Sequence, residues 1–133
     1  MKREVIELVN VKKYYKMGDN VVKAVDGINI KIEKGDFVAI MGPSGSGKST
    51  TMNLVGTLDL PTEGHIFLED RDISKMSESS LANVRAKKIG FIFQSFNLIP
   101  NLTAKENIML PMLFQGLDEE DRKIWAMKFL QIV

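Results

Sequence analysis

The first quarter of the chain alternates apolar and polar positions in the way that half-buried β-strands do. Residues 5–11 are rich in β-branched and apolar side chains, and residues 21–25 and 28–32 repeat that composition. In the last of these segments, isoleucines at positions 28, 30 and 32 alternate with polar residues. The polar segment of residues 14–20 predicts a turn after the first strand. Three short strands are therefore predicted to open the chain.

Two later segments are apolar at consecutive positions, which is typical of strands in a sheet that is covered on both faces. They are residues 37–41 and residues 89–93. A further short strand is predicted over residues 65–68, which include the sole histidine, His65. We expect that histidine to lie at the surface.

Helical periodicity and capping residues predict four helices. The first covers residues 48–58 and would turn inward Met52, Leu54, Val55 and Leu58. The second covers residues 77–87 and is capped by Ser77. Thr103 predicts the start of a short third helix. The four acidic residues at positions 118–121 suit the first turn of a last helix, where they interact favourably with the helix dipole.

The composition is that of an ordinary globular protein. The chain has 133 residues, of which 44% are hydrophobic, with 18 basic against 17 acidic side chains. That balance gives no support for a nucleic-acid-binding tail, and the lack of cysteine excludes disulfides. No run approaches the roughly 20 apolar residues of a membrane helix. We expect a cytoplasmic protein that binds no nucleic acid and meets a membrane only through partners.

Residues 42–49 match the spacing G-x-x-x-x-G-K-[ST] of a phosphate-binding loop. Glycines let backbone N–H groups turn toward a phosphate without side chains in the way. The helix after the loop directs the positive end of its dipole at the same phosphate. Lys48 adds a charge for the β- and γ-phosphates, and Ser49 offers a hydroxyl ligand to Mg²⁺. The predicted nucleotide-binding residues of this loop are Gly42, Pro43, Ser44, Gly45, Ser46, Gly47, Lys48, Ser49 and Thr50.

The loop itself and three segments after it distinguish among the protein classes that carry such a loop. Residues 42–50, GPSGSGKST, resemble the phosphate loop of ABC-transporter ATPases, and residues 58–64, LDLPTEG, resemble that family's connection into its next strand. Residues 89–100, IGFIFQSFNLIP, resemble its glutamine loop, and residues 102–107, LTAKEN, resemble the family's segment after that loop. The resemblance covers the whole chain and is greatest to the lipoprotein-release, macrolide-export and cell-division branch.

The resemblance implies an α/β fold, that of a P-loop NTPase of the ABC ATPase type, with an antiparallel β subdomain and a truncated helical subdomain. Residues 1–36 would form mainly the β subdomain, residues 37–95 the loop core and residues 96–133 the start of the helical subdomain. Gln94 would contact Mg²⁺ or the attacking water; taken alone, this residue favours a strand-end glutamine bonded to backbone, and the flanking residues that resemble the glutamine loop reverse that preference. Tyr15 would stack on adenine, with the adjacent Tyr14 as the rival and core packing as the alternative for both.

The same resemblance implies ATP and Mg²⁺ as cofactors, transmembrane permease subunits as partners and a second ATPase subunit in a homodimer. It places the protein at the inner face of the cell membrane. The family's Leu-Ser-Gly-Gly-Gln signature, its Asp-Glu strand and its switch histidine have no match in this sequence. No catalytic residue is therefore predicted, the general base is expected beyond Val133, and we expect little ATP hydrolysis by these residues alone.

Alternatives to a transporter ATPase subunit are a non-catalytic ATP-binding fragment and a nucleoside-monophosphate kinase. The kinase is disfavoured because no arginine-rich lid comes after the loop: the sequence has only Arg3, Arg71, Arg85 and Arg122. The last predicted helix has a broad apolar face and reaches Val133 without a glycine or proline stop signal. We expect it to belong to a longer protein, of which this chain is somewhat more than half; an ordinary C-terminal helix is the alternative.

Overall fold

The computed structural model of the chain describes residues 4–133. These residues form two compact units, one that ends at Leu81 and one that begins at Ala82. The first unit contains the sheet and the phosphate loop, and the second is helical. Each unit is described by itself below.

A long antiparallel hairpin forms the centre of the first unit. It joins β1 (Glu4–Met17) to β2 (Asn20–Glu33), and Gly18, with φ +62°, begins the tight turn between them. The prediction of a wider polar turn and of two separate strands after it is wrong. Pairing continues through Tyr15↔Val22 to Met17↔Asn20, because backbone hydrogen bonds between two long strands outweigh the turn preference of individual polar residues.

Two short strands complete the sheet of the first unit. They are β3 (Glu63–Leu68) and β4 (Arg71–Asp72), and the sheet order is β2-β1-β3-β4 with antiparallel pairing throughout. The predicted strand at residues 65–68 is thereby confirmed. His65 is at the surface, as predicted, where its Nδ1 lies 2.8 Å from a carboxylate oxygen of Asp72.

One short helix packs against this sheet. It is α1 (Lys48–Val55), and its Leu54 is fully buried together with Leu8, Val11 and Ile66 of the sheet. The prediction that Met52 and Leu58 turn inward is wrong, since they are 48% and 44% exposed. The helix ends at Gly56, so Leu58 lies beyond it, and only the stripe around Leu54 meets the sheet.

The two doubly apolar segments are not strands, contrary to their prediction. In the first unit, Phe37 is 99% exposed and Met41 is 89% exposed. In the second unit, Ile92 is 99% exposed. A strand is held by hydrogen bonds to a neighbour, and the four-stranded sheet of the described residues pairs with neither segment. An apolar pattern predicts the capacity to pair, which forms a strand only where a partner lies alongside.

Three further helices lie in the rest of the described chain. They are α2 (Glu78–Lys88), α3 (Ala104–Phe114) and α4 (Glu119–Ile132), and α3 packs on α4. The predicted caps are confirmed: Ser77 Oγ accepts from the Ser80 N–H, and Thr103 forms a reciprocal capping box with Glu106. Asp118 caps α4, and three acidic residues occupy its first turn. Within residues 4–133, no helix is both long enough and apolar enough to cross a membrane.

Candidate functional site

The phosphate loop connects the segment of residues 37–41 to α1, and its last glycine is fixed against the sheet. Gly47 has φ +87° and directly precedes the first residue of the helix. A Cβ at Gly47 would lie 2.3 Å from the carbonyl oxygen of Ala24 in β2, which is closer than real contacts allow. Only glycine fits both this conformation and this approach. The contact with Ala24 is not visible in the sequence, because 23 positions separate the two residues.

The Lys48 side chain folds back over its own loop. Its Nζ donates to the carbonyl oxygen of Pro43 at 2.6 Å and lies 3.4 Å from Ser46 Oγ. The Ser46 N–H donates to the same Pro43 carbonyl at 3.3 Å, which closes the turn. Both acceptors of the ammonium group are neutral oxygen atoms. The loop thus holds a cation and the N-terminus of a helix at one point, an arrangement that attracts an anionic ligand.

Ser49 and Thr50 lie in the first turn of α1, directly after Lys48. Ser49 is exposed, so its hydroxyl is open to a ligand at the loop. Residues 4–133 contain no group of three or more His, Cys, Asp or Glu side chains that could hold a metal ion. Mg²⁺ bound with a nucleotide keeps most of its water and takes one or two protein oxygens together with phosphate oxygens, and the exposed Ser49 side chain offers an oxygen of that kind.

The Tyr15 side chain is hydrogen-bonded to the segment that comes after α1. Its hydroxyl donates to Asp59 Oδ2 at 2.8 Å. Lys13 Nζ lies 2.5 Å from Asp59 Oδ1 and 5.0 Å from the centre of the Tyr15 ring. Neither Lys13 nor Asp59 is among the site residues predicted from the sequence. Lys13 had a usable signal, since residues two apart on a strand share a face.

Tyr14 has different surroundings, within the β1–β2 hairpin. Its hydroxyl donates to Asp26, and Lys23 Nζ lies 5.3 Å from the centre of its ring. Lys23 also pairs with Asp26, at 3.7 Å. The two neighbouring tyrosines are therefore each held by an aspartate and a lysine, but only the Tyr15 group reaches the segment after α1.

The electrostatics of the Tyr15 group keep its hydrogen bonds formed at neutral pH. Partial burial, and next the hydrogen bond to Asp59, raise the pKa of the Tyr15 hydroxyl, which therefore stays protonated and donates. Burial acts to raise the pKa of Asp59. Hydrogen bonds from Lys13, Tyr15 and the Leu60 N–H outweigh it and hold that pKa below its ordinary value. Asp59 is therefore an anionic acceptor at neutral pH.

The predicted site residues fall into both units. The loop residues, Thr50 and Tyr15 belong to the first unit, and Gln94 belongs to the second. Gln94 is exposed and lies in a bend between residues 89–93 and α3, outside any helix or strand. Its assignment to Mg²⁺ stays a prediction.

Comparison with known proteins gives consistent matches. The family model described as ABC transporter matches residues 25–133. A Thermotoga maritima protein described as an ABC transporter ATP-binding protein is 46% identical over 98% of this chain and 56% of its own length. The macrolide export ATP-binding/permease protein MacB of Bdellovibrio bacteriovorus is 52% identical over 82% of this chain and 17% of its own length.

The solved structures give the same result for the fold. The ATP-binding cassette MJ0796, a dimer in a post-hydrolysis state bound to ADP and Pi, matches with a TM-score of 0.87 at 45% identity, over 95% of this chain and 56% of that one. Its Methanocaldococcus jannaschii sequence is described as an ABC transporter ATP-binding protein. The predicted fold class is confirmed by this likeness. The chain spans about half the length, 56%, of the Thermotoga relative.

Proposed function

This chain belongs to the ABC transporter family, and on that premise we propose that its phosphate loop binds Mg-ATP. We propose further that the protein associates with the membrane subunits of a transporter. The observation that carries the proposal is the position of the Lys48 side chain. Lys48 is the first residue of α1, and its Nζ lies over the loop, 2.6 Å from the carbonyl oxygen of Pro43. A phosphate oxygen competes well with a neutral carbonyl for an ammonium group, since hydrogen bonds between two ions are stronger.

The loop amides, α1 and Lys48 have separate roles in this proposal. Backbone N–H groups of residues 44–49 and the positive end of α1 bind the phosphate oxygens and leave their charge partly neutralised. Lys48 exchanges its Pro43 contact for the β- and γ-phosphates. Gly47 keeps the helix start close to β2, so the cradle does not need to reorganise when the nucleotide binds.

Mg²⁺ would bind beside the phosphates. Ser49, the last residue of the loop, would supply its hydroxyl oxygen as a ligand. Gln94 is proposed as a second ligand or as a contact to the attacking water. When bound, the ion neutralises charge on the transferred phosphoryl group. The exposed Ser49 hydroxyl supports this role.

We propose Tyr15, and not Tyr14, as the platform for adenine. The Tyr15 hydroxyl donates to Asp59, in the segment that follows α1, whereas the Tyr14 hydroxyl donates to Asp26 within the hairpin. We therefore assign the base of a nucleotide bound at the loop to Tyr15, whose hydroxyl is held by the segment after the loop's own helix. Stacking on an aromatic ring contributes about 1–3 kcal/mol for a base.

Hydrolysis and transport are proposed for the whole protein. The MJ0796 cassette is a dimer in its solved structure, and the MacB relative joins an ATP-binding part to a permease. By analogy, we propose that this protein pairs with a second ATPase subunit and with permease subunits at the inner face of the membrane. The family's signature, Asp-Glu strand and switch histidine have no match in this sequence, and no catalytic residue is proposed within it.

Replacement of Lys48 tests the proposal directly. Loss of a hydrogen bond to a charged group removes about 1.5–3 kcal/mol, so Lys48→Ala should weaken binding of a fluorescent ATP analogue by roughly ten- to a hundredfold. Lys34→Ala, at an exposed turn, is the matched control and should bind as the unaltered protein does. An equal dissociation constant for Lys48→Ala and Lys34→Ala would reject the loop as the ATP site.

A further inference from the structure

The Asp59 carboxylate accepts hydrogen bonds from three groups, none of which belongs to the phosphate loop. Its Oδ1 accepts from Lys13 Nζ at 2.5 Å and from the Leu60 N–H at 2.8 Å, and its Oδ2 accepts from the Tyr15 hydroxyl at 2.8 Å. Lys13 Nζ also donates to the Leu60 carbonyl at 2.8 Å. This group, the Asp59 bracket, consists of Lys13, Tyr15, Asp59 and Leu60.

The bracket is shielded enough for its ionic contacts to fix a geometry. The Lys13 side chain is 14% exposed and that of Asp59 is 29% exposed. Ion pairs at such positions are screened less by water and salt than fully exposed ones. A tyrosine whose hydroxyl is bonded at the far end of its ring cannot change its rotamer without breaking that bond. The ring of Tyr15 is therefore held at both ends, by β1 and by Asp59.

Lys13 determines which side of the ring remains available. Its ammonium group lies 5.0 Å from the ring centre, within the range of a cation–π contact. Tyr15 is nevertheless 37% exposed, so part of the ring is open to a ligand. A flat ligand can then stack only on the face that Lys13 leaves free.

We propose that Asp59 is a positioning residue for the base of ATP: it holds Tyr15 through the hydroxyl and places Lys13 behind the ring, so that adenine meets a platform that is already ordered. The inference rests on the proposed function, because it assumes that Tyr15 receives the base. The bracket also connects the platform to the segment after α1, and so keeps it at a fixed distance from the phosphate loop.

The test separates the base from the phosphates. Dissociation constants of Mg-ATP and of magnesium tripolyphosphate, which has no base, are measured for the full-length protein and for Tyr15→Phe, Asp59→Ala and the double variant. Ordering one side chain costs about 0.5–1.5 kcal/mol, so each single variant should weaken ATP binding by about two- to tenfold. The double variant should be no weaker than the weaker single one, and tripolyphosphate binding should not change. Asp59→Asn, which keeps an acceptor for the hydroxyl, should restore part of the ATP affinity.

Asp26→Ala is the matched control, since Asp26 holds Tyr14 in the same way within the hairpin. It should leave both dissociation constants unchanged. Thermal unfolding of each variant identifies any that fails to fold, in which case Tyr15→Phe, which removes one oxygen atom only, carries the test.

Three results would overturn the inference. Unchanged ATP affinity in Tyr15→Phe and Asp59→Ala, together with a loss in Tyr15→Ala, would leave the adenine platform intact but remove the role of Asp59. Equal weakening of ATP and tripolyphosphate would assign Asp59 to the loop or to the fold. A loss in Asp26→Ala would move the platform to Tyr14. A failure of the proposed function looks different: Lys48→Ala would then bind both ligands as well as the unaltered protein does.

Discussion

At the scale of single residues, Gly47 is the position at which the phosphate loop depends most on one side chain being absent. Its φ is +87°, and an added Cβ would meet the Ala24 carbonyl oxygen at 2.3 Å. Gly45 has a similar φ of +80° but has no atom within 4 Å of an added Cβ. Substitutions at the two glycines therefore separate the cost of backbone strain from the cost of steric overlap.

Gly47→Ala and Gly45→Ala should differ in both stability and binding. The left-handed conformation alone costs about 1–2 kcal/mol for an alanine, and that is the expected loss in unfolding free energy for Gly45→Ala. Gly47→Ala should lose more and should also weaken ATP binding, since the helix start must move away from β2. Denaturant unfolding and an ATP titration of both variants measure this. Equal losses would mean that the contact with Ala24 does not fix the loop.

The hydrogen bonds of Asp59 also predict how the unfolding free energy of the chain depends on pH. Its pKa in the folded chain is held below the ordinary value of 3.8 by hydrogen bonds that outweigh burial. A carboxyl whose folded-state pKa is depressed adds stability above its unfolded pKa, and that stability is lost as the pH falls through the folded-state pKa.

The unfolding free energy should therefore decrease from about pH 5 downward, and Asp59→Asn should decrease less steeply over the same range. The unaltered protein and Asp59→Asn are compared by urea unfolding at a series of pH values, from about pH 5 down to the pH at which acid alone unfolds the protein. Parallel curves would show that the bonds of Asp59 to Lys13 and Tyr15 contribute nothing to the folded state.

The residues of the loop follow from the sequence, and so does Tyr15, whereas the contact of Tyr15 with Asp59 does not. A loop of eight consecutive residues carries its chemistry in local order, so spacing alone identifies Lys48 and Ser49. Asp59 lies 44 positions from Tyr15 and meets it only after β1 and the segment beyond α1 have been brought together. Local pattern contains no record of such a contact.

At the scale of elements, prediction succeeded where a helix or strand is determined by its own residues. The predicted caps Ser77 and Thr103 each mark a helix start, because a cap acts within one turn. Asp118, predicted within the first turn of the last helix, is instead its cap. The sheet was less predictable. Residues 37–41 and 89–93 have strand composition but no strand partner among the described residues, and residues 14–17 have turn composition but extend β1 through pairing with β2.

The capping box of α3 offers a prediction at this scale. The Thr103 N–H and hydroxyl both contact Glu106 Oε2, at 2.8 and 2.7 Å, and the Glu106 N–H returns a bond to the Thr103 hydroxyl at 3.3 Å. Thr103→Ala should cost about 1 kcal/mol of unfolding free energy, within the usual range for caps. Ser77→Ala removes a single long cap bond of 3.4 Å to the Ser80 N–H and should cost less. A larger loss for Ser77→Ala in urea unfolding would contradict this interpretation of the two helix starts.

At the scale of the whole molecule, the residues proposed for the nucleotide fall into both compact units. The cradle for phosphates and the aromatic platform both lie in the first unit, and Gln94 lies in the second. The chain covers 56% of the length of the Thermotoga relative, so hydrolysis, dimerisation and transport are proposals for the whole protein. Binding of Mg-ATP at residues 42–50 is the central claim, and every other functional proposal depends on it.

Amide hydrogen exchange with and without Mg-ATP tests that claim most directly, because it reports where the nucleotide binds. Slower exchange is predicted at the amides of residues 44–50, where backbone N–H groups would bind phosphate, and at Tyr15. Exchange in α4, which carries no predicted site residue, should remain unchanged and serves as the internal control. Saturating ATP that leaves residues 44–50 unprotected, or that protects another segment in their place, would contradict the claim.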